Sequence, residues 1–123
     1  MGRYYTGDIE GKFWFAVQSS NDASFFGGTE SEPNYLEYYF DKSDKGDIEG
    51  GIAKCRKALA DYKKQLDDFF AANNGYNEDM LVQAGFPKGK AFELVAWYAR
   101  LELGEKILKC VKEKGICRFN AEL

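Results

Sequence analysis

The chain has 123 residues, 45% hydrophobic and 16% aromatic, with a net charge of −3. That size and apolar content suit one folded domain rather than a disordered segment, and no apolar run reaches the roughly 20 residues that a membrane-spanning helix needs. The absence of histidine removes Ser-His-Asp and Cys-His catalysis, histidine-held zinc and the commonest general base near neutrality.

Met1–Tyr5 lack the apolar stretch of a signal peptide, so a cytoplasmic protein is expected. Arg3–Thr6 is a short β-prone stretch, and Gly7–Gly11 has glycines at both ends, as turns require. Lys12–Gln18 then reads as a well-covered strand, with Phe13, Phe15 and Val17 on one face and Trp14, Ala16 and Gln18 on the other. Residues 19–34 are polar, with one helical turn ending at Gly27. The adjacent Phe25 and Phe26 either lid the core or form a partner-facing flap. Tyr35–Asp41 is a second strand. It places Leu36, Tyr38 and Phe40 on one face and Tyr35, Glu37, Tyr39 and Asp41 on the other.

The pattern then changes period. Ile48, Ile52, Cys55, Leu59, Tyr62, Leu66 and Phe69 repeat at spacings of four and three, which predicts one long helix from Asp47 to the stop at Asn73-Asn74-Gly75. Asn77–Ala84 predicts a short helix capped by Asn77. A second long helix is expected from Lys90 to Lys114, with Phe92, Ala96, Ala99, Leu103, Ile107 and Cys110 as its seam and Gly115 as its end. Ile116–Leu123 alternates as a closing strand, with Cys117 and Phe119 on one side and Arg118 and Asn120 on the other. Strands followed by helices imply an α+β fold. The expected architecture is an antiparallel sheet of three to four strands with a two-helix antiparallel hairpin packed on one face.

The charge is uneven. Residues 1–50 hold ten acids and four bases, whereas residues 51–123 hold ten acids and thirteen bases. Arg56, Lys57, Lys63, Lys64, Lys106, Lys109, Lys112 and Lys114 could line a basic helical face, or they could simply be the solvated lysines of helix surfaces. The acidic total argues against a generic nucleic-acid partner. The three cysteines, Cys55, Cys110 and Cys117, include no Cys-x-x-Cys and read as small core hydrophobes.

No phosphate loop, dinucleotide fingerprint or EF-hand spacing is present, so no cofactor is implied. Asp8 and Glu10, flanked by glycines, could hold a divalent ion with Glu37 or Asp41; the plainer reading is a solvated acidic turn. Gln18 and Asn21 sit where a polar pocket lip would lie. Trp14, Tyr35 and Tyr39 would stand on the outer sheet face, where aromatic side chains suit a protein interface.

The segment Gly2-Arg3-Tyr4-Tyr5-Thr6-Gly7-Asp8-Ile9-Glu10-Gly11-Lys12-Phe13-Trp14-Phe15 resembles the start of small uncharacterised proteins of phages, large viruses and marine environmental sequence. The resemblance extends over about residues 1–30. It implies no particular activity, only an accessory protein acting in a host cytoplasm. The leading expectation is therefore a non-enzymatic protein that binds a protein partner or itself. The alternative is a small ligand binder or a carboxylate- and metal-dependent enzyme.

Overall fold

The computed structural model describes residues 3–27, 29–31 and 35–122, excluding the side chains of residues 29–31 and 35. Among the described residues, five antiparallel strands form one sheet: β1 (Tyr4–Gly7), β2 (Gly11–Lys12), β3 (Thr29–Ser31), β4 (Tyr35–Asp41) and β5 (Ile116–Glu122). Their order is β2-β1-β5-β4-β3. Among the described residues, four α-helices complete the α+β fold: α1 (Lys45–Leu59), α2 (Tyr62–Ala72), α3 (Glu78–Gln83) and α4 (Ala91–Lys114).

The last strand is central. β5 pairs with β1 on one side and with β4 on the other. Its alternation follows the expected pattern, since Cys117, Phe119 and Ala121 are buried while Arg118 is exposed. In β4, Leu36, Tyr38 and Phe40 point inward. Tyr38, Phe40 and Phe119 stack there with ring centroids 5.3–6.3 Å apart, close to the offset packing that aromatic quadrupoles favour. The helices cover this inner face. α4 packs against β5 and β4, and α1 packs against α4.

The Lys12–Gln18 strand does not form beyond Lys12. Phe13 still donates its N–H to the Arg3 carbonyl at 2.8 Å, and then the chain folds into a tight turn. Residues 29–31, within the polar stretch, form the edge strand β3. The single helix expected over Asp47–Ala72 is divided at Ala60, whose backbone (φ 47°, ψ −128°) ends α1. The apolar stripe nevertheless continues across the break, with Leu59 and Leu66 fully enclosed and Phe69 8% exposed. The break lets α2 place Tyr62 and Phe69 around the Phe86 ring.

Phe26 explains a pair of glycines. It is completely buried and wedges between α1 and α4. A Cβ at Gly51 would lie 2.6 Å from its ring, and one at Gly104 would lie 2.4 Å from it. Both distances are far inside van der Waals contact, so only glycine leaves the slot open. Of the two readings of Phe25-Phe26, Phe26 therefore takes the core-lid role.

Candidate functional site: an aromatic cleft

The turn that interrupts the expected strand builds the most distinctive surface. The Val17 and Gln18 N–H groups both donate to the Trp14 carbonyl, at 3.3 and 2.9 Å. The Trp14 N–H donates to Gln18 Oε1 at 3.0 Å. Ala16 takes φ 70°, a conformation that costs a residue bearing a Cβ about 1–2 kcal/mol. Phe15 sits at the apex and is 72% exposed. Its carbonyl accepts the Tyr76 hydroxyl at 2.8 Å, which ties the turn to the loop after α2.

Behind Phe15 lies a cleft of about 810 Å³ between this turn, the end of α2, residues 73–77 and the start of α4. Trp14 forms its floor, half-buried against Phe70, Tyr76 and Tyr98 at centroid distances of 4.9, 5.9 and 6.0 Å. Phe92 forms the far wall, packed on Tyr76 and 39% exposed. Phe92 thus leaves the buried seam expected for it, and Ala91 and Val95 occupy that seam instead. The charged lining is one lysine and one glutamate, Lys12 and Glu102. Asn73 donates to the Phe69 carbonyl, and Asn77 accepts from the Met80 N–H at the start of α3.

Both phenols in the cleft are held protonated. Burial raises the Tyr76 hydroxyl above its ordinary range. Burial first, and then its 2.6 Å bond to Asp67, raises the Tyr98 hydroxyl. Asp67 is correspondingly lowered by hydrogen bonds from Lys63 and Tyr98. The cleft therefore offers flat apolar faces and protonated phenols, with Lys12 and Glu102 as its charged lining.

The other candidate residues are placed differently. Gln18, Ser20 and Asp22 are buried polar groups, and they form a clamp rather than a pocket lip. Gln18 Nε2 donates to Asp22 Oδ2 at 2.9 Å, and Arg100 Nε donates to Asp22 Oδ1 at 2.6 Å. The Arg100 guanidinium lies over the Phe25 and Trp97 rings at 4.5 and 4.7 Å. Arg3 bonds Ser20 Oγ and the Gln18 carbonyl, and Ser20 Oγ–H reaches the Glu122 carbonyl. No buried side-chain nitrogen or oxygen among the described residues lacks a partner. Asn21 is exposed beside this clamp and accepts from Ser19 Oγ. Phe25, half-buried, contributes one face of the Arg100 stack.

Trp14 is not on the outer sheet face, because the strand meant to carry it is a turn. Tyr39 is on that face, half-buried beneath the Arg118 guanidinium at 5.3 Å, and the side chain of Tyr35 lies outside the described residues. The face is open there, with Thr6, Glu37 and Arg118 exposed. Asp8 uses its carboxylate locally, since Oδ2 accepts the Arg118 N–H at 2.9 Å. The Glu10 carbonyl accepts from Lys106. Among the described residues, no group of three or more acidic or cysteine side chains is gathered to hold a metal ion. The bases that could have lined a basic helical face are interleaved with acids. Arg56 pairs with Glu105, Lys63 pairs with Asp67, and Glu49 and Glu113 line the α1–α4 groove beside Lys109 and Lys112.

Family models, curated proteins and solved structures return no match to this chain.

Proposed function

We propose that this protein is a non-enzymatic protein-binding protein and that the cleft headed by Phe15 is its recognition surface. The observation that carries the reading is the Phe15 turn. A phenyl ring left in water forgoes about 1.5–3 kcal/mol of burial. Here a strained Ala16, three local hydrogen bonds and the Tyr76 tether all hold that ring outward. Backbone strain of this kind collects at functional sites. Rigid, exposed aromatic side chains beside a cleft are the anchors that dominate protein interfaces, whose centres are poor in charge. The partner that fits is a protein presenting an apolar side chain to Phe15, Phe92 and the Trp14 floor. An accessory role of this sort also accords with the resemblance of the opening segment to small phage and viral proteins.

The test replaces Phe15 with a photo-crosslinking phenylalanine analogue in producing cells, with the same analogue at exposed Lys57 as the control. A discrete crosslinked species identified by mass spectrometry from position 15, and absent from position 57, supports the reading. Crosslinking indistinguishable between the two positions sinks it. The crosslinked mass also separates a second copy of this chain from a different protein.

A further inference from the structure

The loop between α2 and α3 lines the cleft with Asn73, Asn74 and Gly75, and its asparagines are held differently. Asn73 Nδ2 donates to the Phe69 carbonyl at 2.8 Å. Asn77 Oδ1 accepts the Met80 N–H at 2.8 Å. Asn74 stands between them, exposed, and Gly75 is exposed beside it. Among the described residues, neither the Asn74 side chain nor the Gly75 N–H makes a hydrogen bond. Nothing lies within 4 Å of a Cβ placed on Gly75. Asn74 is also the one asparagine in the sequence that precedes a glycine.

These are the conditions under which an asparagine cyclises on its own backbone. Glycine has no side chain to shield its nitrogen, and its permissive backbone reaches the geometry of attack. We propose that Asn74 converts spontaneously to aspartate and isoaspartate, and so charges the rim of the aromatic cleft. The Gly75 nitrogen gives its proton to solvent base and attacks Asn74 Cγ. The Cγ–Nδ2 bond breaks, Nδ2 takes up a proton and leaves as ammonia, and a five-membered succinimide remains. Water then adds to one ring carbonyl. Breaking the bond from Cγ to the ring nitrogen gives aspartate, and breaking the bond from the main-chain carbonyl carbon gives isoaspartate. In total one water is consumed and one ammonia is released, with no redox partner. The charged lining of the cleft, Lys12 and Glu102, thereby goes from balanced to net negative. Isoaspartate also lengthens the backbone between Asn73, fixed to the end of α2, and Tyr76, which holds the Phe15 carbonyl. The bearing of this charge on binding rests on the reading of the cleft as a recognition surface, since interface centres are poor in charge.

The test incubates the folded chain in mildly alkaline buffer and maps its peptides by mass spectrometry, with fragmentation that separates aspartate from isoaspartate. Asn74 should become both isomers, faster as pH rises, while Asn73, Asn77 and Asn21 stay intact. Gly75→Ala, for which the backbone has open space, should fold as the wild type and lose most of the product. Reaction at Asn74 no faster than at Asn73 or Asn77 would overturn the proposal, as would undiminished product in folded Gly75→Ala. Aspartate without isoaspartate would overturn the succinimide route. With the photo-crosslinking analogue at position 15, Asn74→Asp should lose crosslinked product relative to the wild type, and equal yields would overturn the effect on the cleft. The peptide map needs no partner, so a wild type that deamidates at Asn74 but never crosslinks sinks the recognition reading and upholds the modification.

Discussion

Two phenylalanines eleven positions apart have opposite fates, and the contrast can be measured. Phe26 is fully buried in the slot between Gly51 and Gly104. Truncating it to alanine removes the wedge and leaves a cavity that two helices must close, at a cost of about 3–5 kcal/mol. Phe15 is 72% exposed. Phe15→Ser should therefore change stability by no more than about 0.5 kcal/mol. Urea unfolding of both variants checks the pair. A loss above about 2 kcal/mol for Phe15→Ser would mean that the ring is structural after all. Little in the sequence separates the two residues. Phe15 falls in an unbroken apolar run that alternates like a strand, and what redirects it is a positive φ at Ala16, a residue with no turn signature. The Gln18 side chain that closes the turn reads as polar lip just as well as backbone cap. Tyr76 and Phe92, the other walls of the cleft, come from a glycine-flanked loop and a helix start. Their proximity to Trp14 is a tertiary fact with no local sign.

At the scale of elements, α1 and α2 show how far periodicity reaches. Of the stripe from Ile48 to Phe69, six positions are buried and Tyr62 is half-buried, because side-chain period is a local property. It cannot register the break, since Leu59-Ala60-Asp61 contains neither glycine nor proline. Beyond the break, α2 packs Tyr62 and Phe69 around Phe86. Ala60→Gly should relieve the φ of 47° and stabilise the chain by about 1 kcal/mol. A destabilised Ala60→Gly variant would show that the break carries no strain. Adjacent glycines in α1 give a sharper test. Nothing lies within 4 Å of a Cβ at Gly50, whereas at Gly51 that Cβ meets the Phe26 ring. Gly50→Ala should gain roughly 0.5–1 kcal/mol from helix propensity, while Gly51→Ala should lose about 1–3 kcal/mol by overpacking. Thermal melts of the two single variants must move in opposite directions; the same sign in both would refute the slot. The Gly50-Gly51 pair reads in the sequence only as a weak helix start, and the wedge gives the second glycine its reason.

Across the whole molecule, the core was legible in kind and the sheet order was not. Alternation in residues 35–41 and 116–122 identifies the inward faces, but no local pattern says that the last strand lies between the first and the fourth. That placement brings Cys117 under α4 and packs the thiols and phenols into a low-dielectric interior, with a consequence for pH. Burial raises the Cys55 thiol from 9.0 to about 11, and it also raises Cys117 and Tyr98 above their ordinary ranges. A group whose folded pKa exceeds its unfolded one contributes stability that is complete below the unfolded value and is lost as pH rises through the folded value. Unfolding free energy should therefore begin to fall near pH 9. Each such thiol adds up to about 1.4 kcal/mol per pH unit to the slope, because the unfolded chain releases a proton that the folded chain keeps. Cys55→Ala should be less stable throughout, yet shallower in slope between pH 9 and 11. Denaturant unfolding at stepped pH measures this, and a slope equal to that of the wild type would show that the Cys55 thiol is not held protonated by the fold.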